Sequence, residues 1–351
     1  MKRILIVLGL LLLLEILIGK VVYSDSLFSQ ANKGDAHAQF LIGQCYYEGD
    51  VADRKYKKAS KVANSVSQEL GLPLISTNSH LGKGVKRNYK KAIKYFRMAA
   101  KQGNVQAQFY LGFCYRDGQG VSIDFKESFM WFESAAKQSY APAQDELGNC
   151  YYLGRGILQD YSKAIKLYRL AAEQGSVAAQ INLAYCYDGG LGINQDKSEA
   201  VKLYRLAAEH EDHNSKDFLW CRFDSNEGIW ESFNRLAQLR MGECYYNGNG
   251  VVSDKAEAVK WYRLSAEGNA KAMTNLGFCY YNGWVPYSSG MEQNKEEAYF
   301  WWFLASWNKE ETAIENLKIV ENELTEQQKR RIMTKAMGYF YEKMQTIYEA
   351  D

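Results

Sequence analysis

The chain has 351 residues, of which 47% are hydrophobic and 24% charged, so it can bury a large core and does not have the composition of a disordered protein. Its formal net charge is only +2, and acidic and basic residues become equal in number when the first 24 residues are left out. A balanced chain lacks the basic excess that nucleic-acid binding requires, so we expect no nucleic-acid partner.

The N-terminal stretch MKRILIVLGLLLLLEILI differs from the rest of the chain. Two basic residues precede an apolar run, and the small residues Val22 and Ser24 follow it, an order that is typical of a secretory signal peptide. The run is short for a transmembrane helix, which needs about 20 apolar residues, but residues 4–22 could stay uncleaved as an anchor. Residues 1–24 are therefore predicted to be a signal peptide or an N-terminal membrane anchor.

A short phrase with a cysteine, an aromatic residue and glycines recurs along the chain. It is LGFCYRDGQG, LGNCYYLGRG and LAYCYDGGLG in three consecutive copies, which are 36 residues apart. All six copies, including a fainter first one, lie at 42–49, 111–120, 147–156, 183–192, 241–250 and 276–283. A fixed period of this length is typical of proteins that stack one structural unit many times.

The unit is clearest at 143–175, where two helices are predicted. The first helix has an i, i+4, i+7, i+8 stripe of small or apolar residues, formed by Ala143, Leu147, Cys150 and Tyr151. Gly154 and Gly156 are predicted to end this helix, and Asp160 to cap the start of the second one. Neither helix covers its apolar face alone, so stacked pairs are expected to share one core.

Three regions depart from the unit. Residues 25–88 hold divergent N-terminal repeats, residues 211–236 form an irregular aromatic insertion, and residues 310–351 lack the repeated phrase. The last region has two helical patterns, with Thr325 as the predicted N-cap of the second. We interpret it as a C-terminal helical cap, because the last unit of a stack needs a polar outer face.

The repeat resembles the Sel1-like repeat, a relative of the tetratricopeptide repeat. The stretches VQAQFYLGFCYRDGQGV at 105–121 and DKAEAVKWYRLSAEG at 254–268 carry the resemblance, and the long glycine turn favours it over the tetratricopeptide repeat. Well-formed repeats occupy 89–210 and 237–309. The resemblance implies an all-α fold, an α/α solenoid in which helix-turn-helix repeats form a right-handed superhelix.

Six cysteines share one position of the repeated phrase: Cys45, Cys114, Cys150, Cys186, Cys244 and Cys279. Equivalent helices of a stack lie about 8–10 Å apart. A disulfide needs Cα atoms within about 7 Å, and a zinc site needs converging sulfurs. We therefore expect the six to be small buried hydrophobic residues. Cys221, in the insertion, is outside this pattern, and a free thiol, an intermolecular bond and a structural role all stay open for it.

Other candidate chemistry is sparse. His210 and His213 are three residues apart and could hold a metal, but two ligands without a third are weak evidence. The sequence has no HExxH, GxSxG or Walker A motif, and no GxGxxG between a strand and a helix. We expect no catalytic residue, no cofactor and no bound metal.

Two positions of the first helix vary between repeats while their neighbours stay fixed. They are three residues apart and so share one face of the helix. In the family that the repeat resembles, first helices tend to line a concave surface, and a mixed aromatic, amide and charged strip suits a peptide or protein groove. The alternative is that these positions simply face water. The candidate partner-binding residues are Tyr110, Phe113, Glu146, Asn149, Asn182, Tyr185, Arg240, Glu243, Asn275 and Phe278.

The resemblance implies a non-catalytic protein–protein interaction scaffold or adaptor with a protein or peptide partner. Together with the N-terminal stretch, it suggests an exported protein of the bacterial envelope, periplasmic or secreted, or tethered to the inner membrane through residues 4–22. One alternative is a secreted effector that acts in a host cell. A less favoured one is a hydrolase, since some cysteine-rich family members bind or hydrolyse β-lactams; those have paired cysteines in each repeat, which this chain lacks.

Overall fold

The computed structural model describes residues 27–49, 86–210, 233–287 and 290–350. The predicted signal peptide or anchor, most of the insertion with Cys221, and residues 50–85 of the divergent repeats lie outside the described residues. Helical residues 27–32 come first. The helices that follow are α1 (Ala36–Glu48), α2 (Tyr89–Lys101), α3 (Val105–Asp117), α4 (Phe125–Ala136), α5 (Ala141–Leu153), α6 (Tyr161–Glu173), α7 (Val177–Gly189), α8 (Lys197–Ala208), α9 (Phe233–Asn247), α10 (Lys255–Ser265), α11 (Ala270–Tyr281), α12 (Lys295–Trp307), α13 (Glu311–Glu321) and α14 (Glu326–Ala350).

A short antiparallel ribbon of two-residue strands, β1 (Pro286–Tyr287) and β2 (Gly290–Met291), is the one β-structure in the described residues. It lies in the lengthened turn between α11 and α12. Among the described helices, none combines the length and the apolar composition that crossing a membrane requires.

The described residues divide into two compact units, one ending at residue 159 and the other beginning at residue 160. In the first unit each helix from α1 to α5 packs against the next one along the chain. In the second unit α6 to α13 do the same, and α14 returns to pack on α12. Contacts between sequence neighbours are the pattern of an α/α solenoid, so the predicted all-α helix-pair fold is confirmed.

The predicted aspartate caps start four of the second helices, α4, α6, α8 and α10. The Asp124 carboxylate accepts hydrogen bonds from the backbone N–H groups of Lys126 and Glu127, at 3.0 and 3.1 Å. Asp160, Asp196 and Asp254 cap α6, α8 and α10 in the same way. These carboxylates satisfy N–H groups that the helix itself leaves without a partner, and this fixes where each second helix begins.

The two glycines in the turn that follows a first helix have different structural roles. Gly154, at φ 68°, takes the left-handed conformation that ends α5. Gly156, at φ 76°, lies so close to the start of α4 that a Cβ would be 2.0 Å from the carbonyl oxygen of Phe125. The first glycine therefore stops the helix, and the second lets the turn contact the preceding second helix.

A glycine in the first helix receives an aromatic ring from the second helix of the same pair. A Cβ on Gly112 would lie 2.3 Å from the Phe132 ring, and one on Gly242 would lie 2.4 Å from the Tyr262 ring. Phe132 is fully buried, and Tyr262 is 2% exposed. The repeated glycine of the LG or MG dipeptide thus sets how closely the two helices approach.

A buried glutamine joins one pair to the next. In the first unit, the Gln108 side-chain amide donates to the Ala100 carbonyl at the end of α2, at 3.3 Å, and accepts from Gln138 at 2.8 Å. Gln238 donates to Ala208 at the end of α8, at 3.4 Å. Each glutamine adds a donor to a carbonyl at the end of the preceding helix; the Ala100 carbonyl also accepts from the Gly103 backbone at 3.0 Å, and the Ala208 carbonyl from Asn234 at 2.8 Å.

Two boundaries gain detail from the structure. Helix α9 begins at Phe233, so residues 233–236 of the predicted insertion belong to a helix.

At the start of α14, Thr325 Oγ1 accepts a hydrogen bond from the backbone N–H of Gln328, and the Gln328 side-chain oxygen accepts one from the backbone N–H of Thr325. This reciprocal pair is a capping box, and the predicted N-cap role of Thr325 is confirmed.

The candidate functional site is a strip on the first helices

The ten predicted partner-binding residues lie on the first helices of five pairs, and we call them the first-helix strip. Those on α3 and α5 are in the first unit, and those on α7, α9 and α11 are in the second. Eight of the ten are half-buried, whereas the positions around them on the same helices are mostly buried. On α5, α7, α9 and α11 the strip residues are thus more exposed than their immediate neighbours along the helix.

Tyr110 and Phe113 depart from this arrangement, because both are buried, with 4% and 7% of their surface exposed. Tyr110 packs in an aromatic cluster with Phe40, Tyr47 and Phe96, where burial raises the pKa of its hydroxyl. The expectation that these two side chains face a partner or water is therefore wrong. They fill the space between α1 and α3 and between α3 and α4, since aromatic side chains at these positions can reach the neighbouring helices.

The strip of the first unit contains a charged cluster built around Arg116. This guanidinium lies 4.3 Å from the centre of the Phe113 ring and pairs with Glu146 on α5 at 3.1 Å. Glu146 also accepts from Asn149 at 3.5 Å, and Arg116 pairs with Asp117 at 2.7 Å. Burial by itself lowers the pKa of Arg116, but Glu146 and Asp117 outweigh it, so the pKa is raised and the charge is permanent.

Arg116 is absent from the sequence prediction. It is three residues after Phe113 on the same helix face, so extending the strip by one further turn would have included it. The equivalent position is tyrosine in most other repeats, with Tyr152, Asp188, Tyr246 and Tyr281 elsewhere. An arginine where most repeats have tyrosine is the signal that the sequence offered.

A second charged cluster lies on the strip of the second unit. Arg240 on α9 donates to the Tyr185 hydroxyl on α7 at 2.6 Å, and its guanidinium lies 4.8 Å from the centre of that ring. Arg240 also pairs with Glu243 at 2.6 Å, and Glu243 pairs with Lys271 on α11 at 3.4 Å. The chain of contacts from Tyr185 to Lys271 therefore links three consecutive first helices.

The remaining strip residues serve the core as well as the surface. Asn275 hydrogen-bonds to the buried hydroxyl of Tyr262, and the Phe278 ring meets Trp302 edge-on at 5.5 Å. Asn182 is half-buried on α7, one turn before Tyr185. At these positions only part of each side chain is available to a partner.

The repeated cysteines are free thiols, and five of the six are buried as expected. Burial raises the pKa of Cys114, Cys150, Cys244 and Cys279 to about 12, and that of Cys186 to about 11. These thiols are therefore protonated and unreactive near neutral pH. Cys45 is exposed, so the expectation of burial is wrong for this one residue.

No metal-binding constellation is found in the part of the chain that the structure describes: no three His, Cys, Asp or Glu side chains come together suitably. His210 follows the end of α8, and His213 lies outside the described residues. The first-helix strip offers stacked arginines, carboxylates, amides and partly open aromatic rings. Such groups can hydrogen-bond to a polypeptide and stack on its side chains.

Comparisons with known proteins agree with this architecture. The Sel1 repeat model matches residues 36–59, 78–104, 105–140, 141–176, 177–212, 235–269 and 270–306. Among solved structures, a Sel1 repeat protein from Oxalobacter formigenes is similar, with 28% identity, a TM-score of 0.59, and coverage of 84% of this chain and 96% of its own.

Two other solved structures also align with the chain. A protective antigen present in uropathogenic Escherichia coli strains has 23% identity and a TM-score of 0.36, and covers 100% of this chain and 88% of its own. A Sel1 repeat protein from Klebsiella pneumoniae has 21% identity and a TM-score of 0.40, and covers 65% of this chain and 99% of its own. The search of curated proteins gave no match.

Proposed function

The chain belongs to the Sel1 repeat family, and from that premise we propose that it is a non-catalytic scaffold that binds a protein or peptide partner through the part of the first-helix strip that lies on α7, α9 and α11. Sel1 repeat proteins are generally protein-interaction scaffolds, and the fold is typically non-catalytic. The observation that carries the proposal is the chain of contacts from Tyr185 through Arg240 and Glu243 to Lys271. It holds a charged and aromatic face at a fixed spacing across three helices.

The side chains of this strip are held in place by their neighbours, and this lowers the entropy cost of binding a partner. Arg240 is fixed by a hydroxyl and a carboxylate before any partner arrives, so binding costs less side-chain entropy than with a free arginine. The planar guanidinium has further N–H donors for a carboxylate or a backbone carbonyl of the partner. An extended segment running across α7, α9 and α11 would meet an aromatic ring, an arginine and a lysine in turn.

The location of this scaffold is also part of the proposal. The N-terminal order of basic, apolar and small residues supports export to the bacterial envelope, with the chain periplasmic, secreted or tethered by residues 4–22. Mass spectrometry of the protein from its native cell tests this point. A mature N-terminus near Asp25 supports cleavage, a retained N-terminus in the membrane fraction supports the tether, and a full chain in the cytoplasm contradicts export.

The binding proposal is tested by removing both members of one strip ion pair. We compare the tagged full chain with the double variant Arg240→Ala, Glu243→Ala in pull-downs from envelope extract. Removing both partners avoids leaving one charge buried and unpaired. Since a central arginine is a frequent hot spot of interfaces, the variant is expected to bind its partner at least about tenfold more weakly.

A matched control removes an ion pair elsewhere. Glu133 and Lys137 form a pair on α4, a second helix, with side chains 38% and 70% exposed. The double alanine variant of this pair is expected to bind like the wild type. Equal partner recovery by both double variants, with helicity unchanged, would show that the strip is not the binding site.

A further inference from the structure

The second helices of the second unit show a repeated pattern on their outward face. Leu170, Leu206 and Leu264 occupy the same position of α6, α8 and α10, and they are 48%, 54% and 53% exposed. One helical turn before each leucine is an exposed lysine on the same face, at Lys166, Lys202 and Lys260. We call these six residues the leucine–lysine row.

On the next second helix the same positions are covered. The counterparts of Leu264 and Lys260 on α12 are Leu304 and Phe300, which are 0% and 3% exposed. Helix α14 packs on α12 and brings Ile332 and Ala336 into the same hydrophobic cluster as these two residues. The outward face of a second helix in this unit therefore accepts an amphipathic helix.

Charged side chains flank this contact and fix how α14 lies on α12. Arg331 pairs with Glu296, and Lys335 pairs with Glu297. Further along α14, the centres of the Tyr339 and Phe300 rings are 6.0 Å apart. Burial raises the pKa of Tyr339, and the negative charge of Glu267, just after the end of α10, raises this pKa further. Helix α14 thus packs on α12 and extends from there toward the end of the preceding second helix.

We propose that the leucine–lysine row is a second interaction surface, which docks an amphipathic helix of a partner protein. This surface goes beyond the first-helix strip, because it lies on the second helix of each pair. The occupant is inferred from α14, which shows within this chain that a helix with an apolar stripe and charged flanks seats on this face. The uncovered α6, α8 and α10 continue that face.

The spacing of the row defines the partner. Equivalent helices of a stack are about 8–10 Å apart, and seven residues of an α-helix rise about 10.5 Å. A helix lying across the row would therefore meet one leucine with every heptad. The partner helix has an apolar side chain at every seventh position, and each apolar residue faces Leu170, Leu206 or Leu264.

The charges of the row define the flank of the partner helix. Lys202 pairs with Glu199 at 2.8 Å and Lys260 pairs with Glu257 at 2.6 Å, and in both pairs the lysine is exposed and the glutamate is half-buried. Such surface pairs contribute little, so a partner carboxylate can replace the internal glutamate at small cost. The expected partner helix has aspartate or glutamate beside its heptad-spaced apolar residues. This charge is opposite to that of α14, whose flanking residues are basic because α12 presents Glu296 and Glu297 to them.

The probe is a fluorescent designed helical peptide of about 21 residues, with one leucine per heptad flanked by glutamate. Its binding to the full chain is followed by fluorescence anisotropy. We expect saturable binding that the double variant Leu206→Glu, Leu264→Glu weakens at least about tenfold, since both exposed apolar contacts are lost. A peptide with lysine in place of glutamate is expected to bind at least about tenfold more weakly.

Val252→Glu is the matched control. Val252 is 88% exposed in a turn of the same unit, away from the row, so this variant is expected to bind the peptide like the wild type. Circular dichroism verifies that all variants keep their helicity. Absence of saturable binding, or equal affinity of the wild type and the row variant, would overturn the proposal.

Two other occupants give different results in the same experiment. Sedimentation reports self-association, and co-sedimentation with vesicles of phosphatidylcholine and phosphatidylglycerol reports membrane binding. The row variant could abolish self-association or vesicle binding while its affinity for the peptide stays unchanged. The leucine–lysine row would then bind a second copy of the chain or a lipid surface, and the helix proposal is overturned. The strip variant Arg240→Ala, Glu243→Ala is expected to bind the peptide normally, so this test is independent of the proposed function.

Discussion

Replacement of Gly242 by alanine tests whether the close approach of the paired helices limits the stability of the fold. An ideal Cβ at this position would lie 2.4 Å from Cε1 and 2.5 Å from Cδ1 of Tyr262. This is about 1 Å inside the 3.4 Å at which ordinary contact begins. Tyr262 is 2% exposed, packs in the core with Leu276 and Cys279, and hydrogen-bonds to Asn275. The ring therefore cannot move without disturbing its neighbours.

Two opposing contributions set the magnitude. Overpacking a well-filled core costs about 1–3 kcal/mol. Alanine in the interior of a helix is about 1 kcal/mol more favourable than glycine. The net expectation for Gly242→Ala is a decrease of about 0–2 kcal/mol in the free energy of unfolding, and not an increase.

The assay is urea unfolding followed by far-ultraviolet circular dichroism, with the same substitution at Gly338 as control. Gly338 is exposed in α14 and has no atom within 4 Å of an added Cβ. Gly338→Ala is therefore expected to raise the free energy of unfolding, by about 0.5–1 kcal/mol. If Gly242→Ala stabilises the protein to the same extent, the tight approach to the Tyr262 ring does not govern stability and the argument fails.

Three further predictions concern the core and the thiols. Replacing Gln108 by alanine removes one donor from the Ala100 carbonyl, which keeps the Gly103 backbone N–H, and removes the acceptor of the Gln138 amide. It should lower the free energy of unfolding by about 0.5–1.5 kcal/mol, measured in urea; no loss would contradict a role of Gln108 in joining the two pairs. In the native state, alkylation by iodoacetamide at pH 8 should modify Cys45 before the buried thiols, and mass spectrometry that finds equal modification would contradict their burial. Five buried thiols should make the stability depend on alkaline pH: Cys114, Cys150, Cys186, Cys244 and Cys279. Because burial raises the pKa of these thiols in the folded chain above that in the unfolded chain, their contribution to stability is fully present below pH 9, the ordinary thiol pKa, and decreases as the pH rises toward 12. A melting temperature that is constant from pH 9 to 11.5 would contradict this.

Local chemistry made the helices and their ends predictable. An aspartate or a threonine in a capping position forms its hydrogen bonds within three residues, as Asp124 and Thr325 do. A glycine that must take positive φ is equally recognisable, as at Gly154. Because the unit repeats, each such local signal occurs several times, and the period itself indicates a stacked helix-pair fold.

The candidate site was only partly predictable, because the same repeat position has different surroundings in different pairs. Tyr110 and Glu146 occupy one position, yet Tyr110 is buried among rings and Glu146 is half-buried in an ion pair. The long aromatic side chain reaches the neighbouring helices, whereas the carboxylate stays near water and takes the guanidinium of Arg116. Which outcome applies depends on the side chains across the interface, and these are distant in sequence.

The sequence by itself determined the helix pairs, their caps, the glycine turns and the buried position of most repeated cysteines. Each of these depends on a few neighbouring residues or on the period of the repeat. Only the tertiary structure decided which strip residues are buried, which charges meet between α7, α9 and α11, and that Leu304 is buried whereas its counterpart Leu264 is exposed. The physical reason is that burial and ion pairing depend on what packs against a side chain, and an identical leucine is core or surface according to the helix that lies over it.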